Sequence, residues 1–320
     1  MSKNSTFHST LPGLILEASK TDKSFLSLEL PTVIRGGVKN WPAFEKWTAE
    51  FFTKNYGNVE VPLSNYKKDP YQKASTKNTL SIKNYLESAQ RIAAGEADDN
   101  EDMYSAGWFF KSEHSELKND VLLPEYFQKN WADKVQKAIR FETDSILFGH
   151  PKVESPLHTD SFFVSTYIAM IKGTKRLRLV HPKYTPFVHN GYDVFDEQKL
   201  QRLFEQDVPV YECVAEEGDL VWFPPGWWHH VKNESFTISL TTNFVSDQHF
   251  LAFEQQVRAT IVKPMLALSK LKADWETESH GAYSLENLEN SKYVKNEEAY
   301  IGHFQKDLTQ SMNFIEKLKL

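Results

Sequence analysis

The stretch that most constrains this chain is His158-Thr159-Asp160, joined later by Pro224-Pro225-Gly226-Trp227-Trp228-His229-His230. In extended backbone successive side chains alternate faces, so residues two apart point the same way. His158 and Asp160 therefore share a face, and Thr159 points elsewhere. A third donor to the same point must come from a distant strand, and His229 is the candidate. Gly218-Asp219 predicts a hairpin turn, Leu220-Val221-Trp222-Phe223 a buried strand, and Pro224-Pro225-Gly226 a second turn. His229 then opens the next strand at a place fixed by rigid turns, as a metal ligand requires. His230 is adjacent and points to the opposite face, and spacing alone does not choose between the two.

Two imidazoles and one carboxylate form the donor set of a non-haem Fe(II) centre with open positions. From His158 the even positions continue as Asp160, Phe162, Val164, Thr166, Ile168 and Met170, predicted as one strand face lining a barrel interior. Lys172-Gly173 predicts a turn, after which Lys175, Leu177 and Leu179 share one face and Arg176 and Arg178 the other. Thr237, Ser239, Thr241 and Asn243 form a polar face opposite Phe236, Ile238, Leu240 and Phe244. Polar groups on a core strand need partners, which a wet ligand pocket would supply.

An inward Lys175 needs an anion, because an unpaired buried charge is very costly. Beside an Fe(II) site, the distal carboxylate of 2-oxoglutarate answers that need; a lysine at the barrel mouth reaching solvent is the plainer alternative. Asn243, Thr241, Thr166 and Ser155 are placed to add neutral hydrogen bonds to the same ligand. Phe162, Val164 and Trp222 are candidate dry walls.

The chain divides into three zones. Residues 1 to about 140 mix short strands and amphipathic helices, with a strand entering a turn over Pro31–Gly37, closed by Trp41-Pro42. Helices are predicted over Trp47–Tyr56 and Ser81–Ala94. Residues from about 141 to 246 are β-rich. From about Asp247 the chain turns helical, over Phe250–Leu271, interrupted by Pro264, and over Glu297–Leu318.

At 320 residues the chain can bury a sizeable core. Its 37 basic and 43 acidic residues give a net charge of -6, which offers no general footprint for nucleic acid. A single cysteine, Cys213, excludes an intramolecular disulfide and a thiolate cluster, and suits a reducing compartment. No Gly-rich phosphate loop is present. With no apolar run of signal-peptide or membrane-spanning kind, the expectation is a soluble cytoplasmic protein without a membrane partner, the nucleus left open.

These motifs, in this order, resemble the JmjC-domain, cupin-fold 2-oxoglutarate oxygenases. The nearest likeness is to the small hydroxylase branch that includes the asparaginyl hydroxylase acting on hypoxia-inducible factor. The resemblance covers about residues 25 to 246. It rests on Pro31–Gly36 with Trp41-Pro42 and Trp47, Leu123-Pro124-Glu125-Tyr126-Phe127, Ser155–Asp160, Lys172–Arg176, Gly218–His229 and Asn243-Phe244. It implies a mainly β protein with flanking helices: a double-stranded β-helix (jelly-roll) core at 141–246, an N-terminal α/β elaboration and C-terminal helices.

The resemblance also makes His229 the ligand in preference to His230, so that His158, Asp160 and His229 hold Fe(II). Lys175 would bind the distal carboxylate of 2-oxoglutarate, with Asn243 a further contact. Relatives often carry an asparagine between Asp160 and Lys175; here Thr166 is the substitute, and Ser155 stands where a threonine is common. O2 would be consumed, with succinate and CO2 released. A protein or peptide is the leading substrate and a modified transfer-RNA base the runner-up, with N-methyl-lysine demethylation less expected; a metal-free cupin scaffold is the non-enzyme alternative. Related hydroxylases pair through C-terminal helices, so a homodimer is a further expectation.

Overall fold

The computed structural model describes residues 16–18, 24, 26, 29–66, 75–97, 104–134, 143–151 and 153–259. These fall in two compact units. The first takes in residues up to 132 and from 142 to 250; the described part of the second is residues 133–134 and helical turns over 251–259. Most of the predicted C-terminal helix pair, and with it the segments proposed for dimer contact, lies outside the described residues.

In chain order the strands are β1 (Leu16–Ala18), β2 (Thr32–Ile34), β3 (Glu60–Leu63), β4 (Ser75–Ser81), β5 (Ser105–Trp108), β6 (Asp144–Gly149) and β7 (Glu154–His158). There follow β8 (Ser165–Lys172), β9 (Lys175–Val180), β10 (Val210–Ala215), β11 (Leu220–Phe223), β12 (Trp228–Asn233) and β13 (Thr237–Phe244). A seven-stranded sheet has the order β1-β2-β11-β8-β13-β6-β5, and a four-stranded sheet the order β10-β9-β12-β7. The two sheets form the jelly-roll sandwich. Strands β3 and β4 make a separate hairpin sheet. The N-terminal zone thus lends β1, β2 and β5 to the larger sheet as well as packing helices near it.

Helices α1 (Pro42–Lys46), α2 (Ala49–Tyr56), α3 (Ile82–Ala93), α4 (Glu125–Gln128) and α5 (Glu197–Phe204) complete the unit. Thr48 and Ser81 cap α2 and α3 by accepting from Phe51 N and Asn84 N. Trp41-Pro42 opens α1 instead of closing a turn, because proline at the first helical position surrenders an N–H that the helix would leave unpaired anyway. Trp47 therefore ends α1 and does not begin the next helix.

The core follows strand parity. Ile34, Tyr167, Ala169, Ile171, Leu220, Trp222, Ile238, Leu240 and Phe244 face a cluster that includes Trp41, Trp47, Phe52 and Leu86. Val33, Ile168, Met170, Val221 and Phe223 face Leu177, Leu179, Cys213 and Val231 of the other sheet. Both faces of β8 are covered, and its residues from Ser165 to Ile171 are all buried. In β9 the alternation is plain: Lys175, Leu177 and Leu179 are buried and Arg176 and Arg178 half-buried.

Two expectations change. The run from His158 to Met170 is not one strand: β7 ends at His158, a 3-10 turn occupies Ser161–Phe163, and β8 begins at Ser165. Phe162 and Phe163 have φ of 62° and 57° there, a left-handed conformation that side chains other than glycine or asparagine rarely adopt. The predicted turns at Lys172-Gly173 and Gly218-Asp219 exist, with φ of 77° at Gly173 and 95° at Gly218. Neither closes a ladder, however: β8 and β9 lie in different sheets, as do β10 and β11. Each turn carries the chain from one layer of the sandwich to the other.

Candidate active site

His158 ends β7 and His229 is its direct partner on β12, so the two imidazoles meet on one face with ring centroids 4.2 Å apart. Asp160 follows in extended conformation, φ -68° and ψ 148°, so its side chain returns to the face of His158 before the turn begins. His158 Nε2 is 4.0 Å from Asp160 Oδ1, and His229 Nε2 is 3.9 Å from Asp160 Oδ2. One donor atom from each residue lies within 4.8 Å of the others, a span that a single ion can bridge.

Local bonds aim these donors. His158 Nδ1 lies 2.7 Å from Pro156 O, and His229 Nδ1 lies 3.0 Å from Trp227 O. A carbonyl oxygen only accepts, so each Nδ1 carries the proton and each Nε2 presents its lone pair to the cluster. Burial, and after it the neighbouring His158, push the His229 imidazole well below its ordinary value, which keeps it neutral and ready to ligate. Thr166 donates a short hydrogen bond to Asp160 Oδ2 and turns the carboxylate toward the histidines. The side chain is thus engaged with the candidate ligand.

The wall beside the cluster is Phe223, whose ring centroid is 4.4 Å from that of His229. Phe223 and Asn243 are both register partners of Thr166, which puts all three on the inner face of the large sheet. Trp222, expected as a wall, is one residue out of phase and packs in the cluster on the outer face. Val164 is buried and Phe162 half-buried, while Phe163 is 38 % exposed beside Gly226. Ser155 lies on β7 opposite Val231, a register neighbour of the His158–His229 pair.

Lys175 is 1 % exposed, so the solvent-reaching alternative does not hold. Its Nζ donates to Tyr104 Oη at 2.9 Å and to Asn233 Oδ1 at 2.7 Å, both neutral acceptors. Burial pulls the ammonium down to about 7 and pushes the Tyr104 phenol well above its ordinary value. Among the described residues, Asn233 Nδ2, Thr237 Oγ1, Ser239 Oγ and Ser145 Oγ are buried without hydrogen bonds. Thr237 and Ser239 share a strand face with Thr241 and Asn243, and Ser145 is the register partner of Thr241. These unpaired groups and the buried lysine fit a polar, anionic ligand between the sheets. The imidazole–carboxylate cluster fits a divalent metal of the Fe(II) type.

His230 is not brought to this cluster. It is 1 % exposed on the other face of β12, with Nε2 3.4 Å from Glu154 Oε2 and Nδ1 3.7 Å from Asp193 Oδ1. Burial alone would raise the Glu154 carboxyl, but His230 and Lys232 beside it hold it down at about 2. These residues line a cavity of about 850 Å³ with Phe195 and Arg176. Cys213 is buried and burial pushes its thiol up to about 12, which leaves it no nucleophilic role.

Sequence reasoning missed Tyr104, Asn233 and Phe223. Asn233 left a usable signal: it lies four residues after His229 on one strand, hence on the same face, and it pairs in register with Lys175. Tyr104 left none.

The model of the cupin-like domain family matches residues 18–250. The chain belongs to the cupin-like domain family. Within it, the chain is similar to lysine-specific demethylase JMJ21 of Arabidopsis thaliana, 27 % identical over 237 residues, covering 69 % of this chain and 24 % of that protein. It is similar to the 2-oxoglutarate and iron-dependent oxygenase JMJD4 of Mus musculus, 24 % identical over 268 residues, covering 73 % of this chain and 61 % of the relative. It is also similar to the bifunctional arginine demethylase and lysyl-hydroxylase psr-1 of Caenorhabditis elegans, 23 % identical over 240 residues, or 70 % of this chain and 58 % of that one. The chain thus spans between about a quarter and three-fifths of the length of these curated relatives. Among the described residues no helix is long and apolar enough to cross a membrane.

Proposed function

We propose that this chain is an Fe(II)- and 2-oxoglutarate-dependent oxygenase that hydroxylates a side chain of a protein or peptide. The observation that carries the reading is the pairing of the His158–Asp160–His229 cluster with a buried Lys175 that has only neutral partners among the described residues. A metal-free scaffold gains nothing from a lysine ammonium buried in the same sheet as two convergent imidazoles, and that burial is costly. Relatives named as 2-oxoglutarate and iron-dependent oxygenases, and one named as a lysyl-hydroxylase, support the same reading. A net charge of -6 favours a peptide over an RNA substrate.

His158, Asp160 and His229 would hold the metal from one side and leave the remaining positions to ligands. Lys175 would hold the distal carboxylate of 2-oxoglutarate, and Asn243 and Thr166 lie on the inner face of the large sheet. Together the bound Fe(II) and 2-oxoglutarate supply the chemistry, in which O2 hydroxylates a C–H bond while the cosubstrate becomes succinate and CO2. The chain's own task is orientation and dryness. Thr166 fixes the carboxylate, the Pro156 and Trp227 carbonyls fix the imidazoles, and Phe223 shields His229 from water.

The test is succinate formation by purified protein with Fe(II), ascorbate and 2-oxoglutarate. Wild type and His230→Gln are expected to turn over, because His230 faces away from the cluster. His229→Ala is expected to fall to background. Background succinate from wild type that binds both metal and 2-oxoglutarate, or equal loss in both variants with the fold intact, overturns the reading.

A further inference from the structure

Strand β7 turns His158 to the inner face through an irregularity just upstream of it. Val231 pairs with Ser155 and His229 with His158, so one residue of β12, His230, stands opposite two of β7, Pro156 and Leu157. That is a β-bulge, which shifts the parity of the strand by one. Ser155 and His158 are three apart and would face opposite ways in a regular strand. The bulge puts both on the inner face, where their partners lie. Leu157 turns outward into the cluster with Val180 and Trp228, and the Pro156 carbonyl accepts from His158 Nδ1 at 2.7 Å. Proline suits the spot, since it has no N–H to give to a ladder.

The ladder alone is a weak hold on that register. Strand β7 has five residues and is an edge, paired among the described residues with β12 alone. A slip by one residue would carry His158 to the outer face and away from His229. Glu154 acts against this from outside. It is the register partner of Lys232, on the near side of the bulge. Its Oε2 lies 3.1 Å from Lys232 Nζ and 3.4 Å from Nε2 of His230, the residue opposite the bulge. One carboxylate thus grips β12 at the two outward positions that flank Val231, and a slipped β7 would lose both. At the bulge itself, Gly191 N donates to Leu157 O at 2.8 Å. Glu154 borders the cavity of about 850 Å³ and not the packed core, so the effect of its charge is separable from packing.

We propose that Glu154 is a positioning residue for the metal site: through Lys232 and His230 it locks the β7 bulge in register and so holds His158 opposite His229. The assignment rests on the metal-binding part of the oxygenase reading and deepens it. It gives a residue on the outer face of the small sheet control over ligand geometry on the inner face.

The test applies three measurements to the same full-chain variants: Mn(II) titration, the visible absorption spectrum of Co(II)-loaded protein, and urea unfolding. Glu154→Ala is expected to weaken Mn(II) roughly tenfold, the lower end of the loss for a group that orients a metal ligand. It is also expected to alter the Co(II) spectrum, which reports ligand geometry. Glu154→Gln keeps a hydrogen-bonding amide and is expected to fall between wild type and Glu154→Ala. Glu154→Lys sets a cation against Lys232 and is expected to weaken Mn(II) further. Combining it with Lys232→Glu restores an opposite-charge pair across the strands and is expected to recover most of the affinity. Thr48→Ala uncaps α2 and is the control: it is expected to lose urea stability and to keep the Mn(II) affinity and Co(II) spectrum of wild type. Wild-type affinity and spectrum in Glu154→Ala, a loss shared equally by Thr48→Ala, or a swapped pair no better than Glu154→Lys overturns the positioning role and leaves the metal site standing. Failure of wild type to bind Mn(II) or Co(II) overturns the metal reading with it.

Discussion

Asp160→Ala is expected to abolish measurable divalent-metal binding, the largest effect of any single change in this chain. Asp160 is the one carboxylate of the cluster, and without it two neutral imidazoles remain to hold a doubly charged ion. Loss of a group that merely orients a ligand costs roughly 10- to 100-fold in metal affinity, and removal of the ligand itself exceeds that. Thr166 provides the internal comparison, since its hydroxyl donates to Asp160 Oδ2. Thr166→Val is expected to fall in that 10- to 100-fold range, and Thr166→Ser to bind nearly as wild type. Titration with Mn(II), a redox-quiet stand-in for Fe(II), reads all three. Equal affinity in wild type and Asp160→Ala would place the metal elsewhere.

Lys175→Met is expected to reduce 2-oxoglutarate affinity by at least about 100-fold, as breaking a buried charge pair costs several kcal/mol, and to leave Mn(II) affinity unchanged. The same residue gives a signature in pH. Burial holds the Lys175 ammonium at about 7, against about 10.4 in an unfolded chain. Between those values the unfolded state carries the extra proton, so the stability of ligand-free protein rises with pH, by up to about 1.4 kcal/mol per unit. Cys213, held up at about 12 by burial, acts the other way above its unfolded value. The Lys175 contribution is therefore the difference in slope between wild type and Lys175→Met in urea unfolding. A bound carboxylate restores the charge, so 2-oxoglutarate binding should take up a proton above pH 7 and weaken by up to about tenfold per unit. Parallel stability slopes in the two proteins would show that Lys175 is charged throughout.

The clustering of His158, Asp160 and His229 and much of the sandwich were legible because strand parity writes itself into residue type. Lys175, Leu177 and Leu179 alternate with Arg176 and Arg178, and burial follows that pattern residue by residue. Parity gives the faces of a strand but not where the strand stops. The break at Ser161–Phe163 was hidden because two phenylalanines take a left-handed backbone that glycine or asparagine would have announced. Parity also does not say which face meets which layer. Trp222 and Phe223 are both large and apolar, and only the register with β8 and β2 puts Phe223 beside His229 and Trp222 outside. Turn chemistry marked Gly173 and Gly218 correctly as turns, but a turn residue carries no record of whether the strands it joins share a sheet. The lysine pocket was half legible. An inward lysine demands an anion, yet its holders Tyr104 and Asn233 lie 71 and 58 residues away along the chain. Only packing brings them together.

The most direct measurement is the affinity of 2-oxoglutarate for purified wild-type protein with and without one equivalent of Mn(II), taken anaerobically. The expected result is one dicarboxylate per chain, bound only when metal is present and lost in Asp160→Ala, since under the proposed function the 2-oxo acid end meets the metal and the far end meets Lys175. Binding of equal strength with and without metal would contradict a shared site built from His158, Asp160, His229 and Lys175.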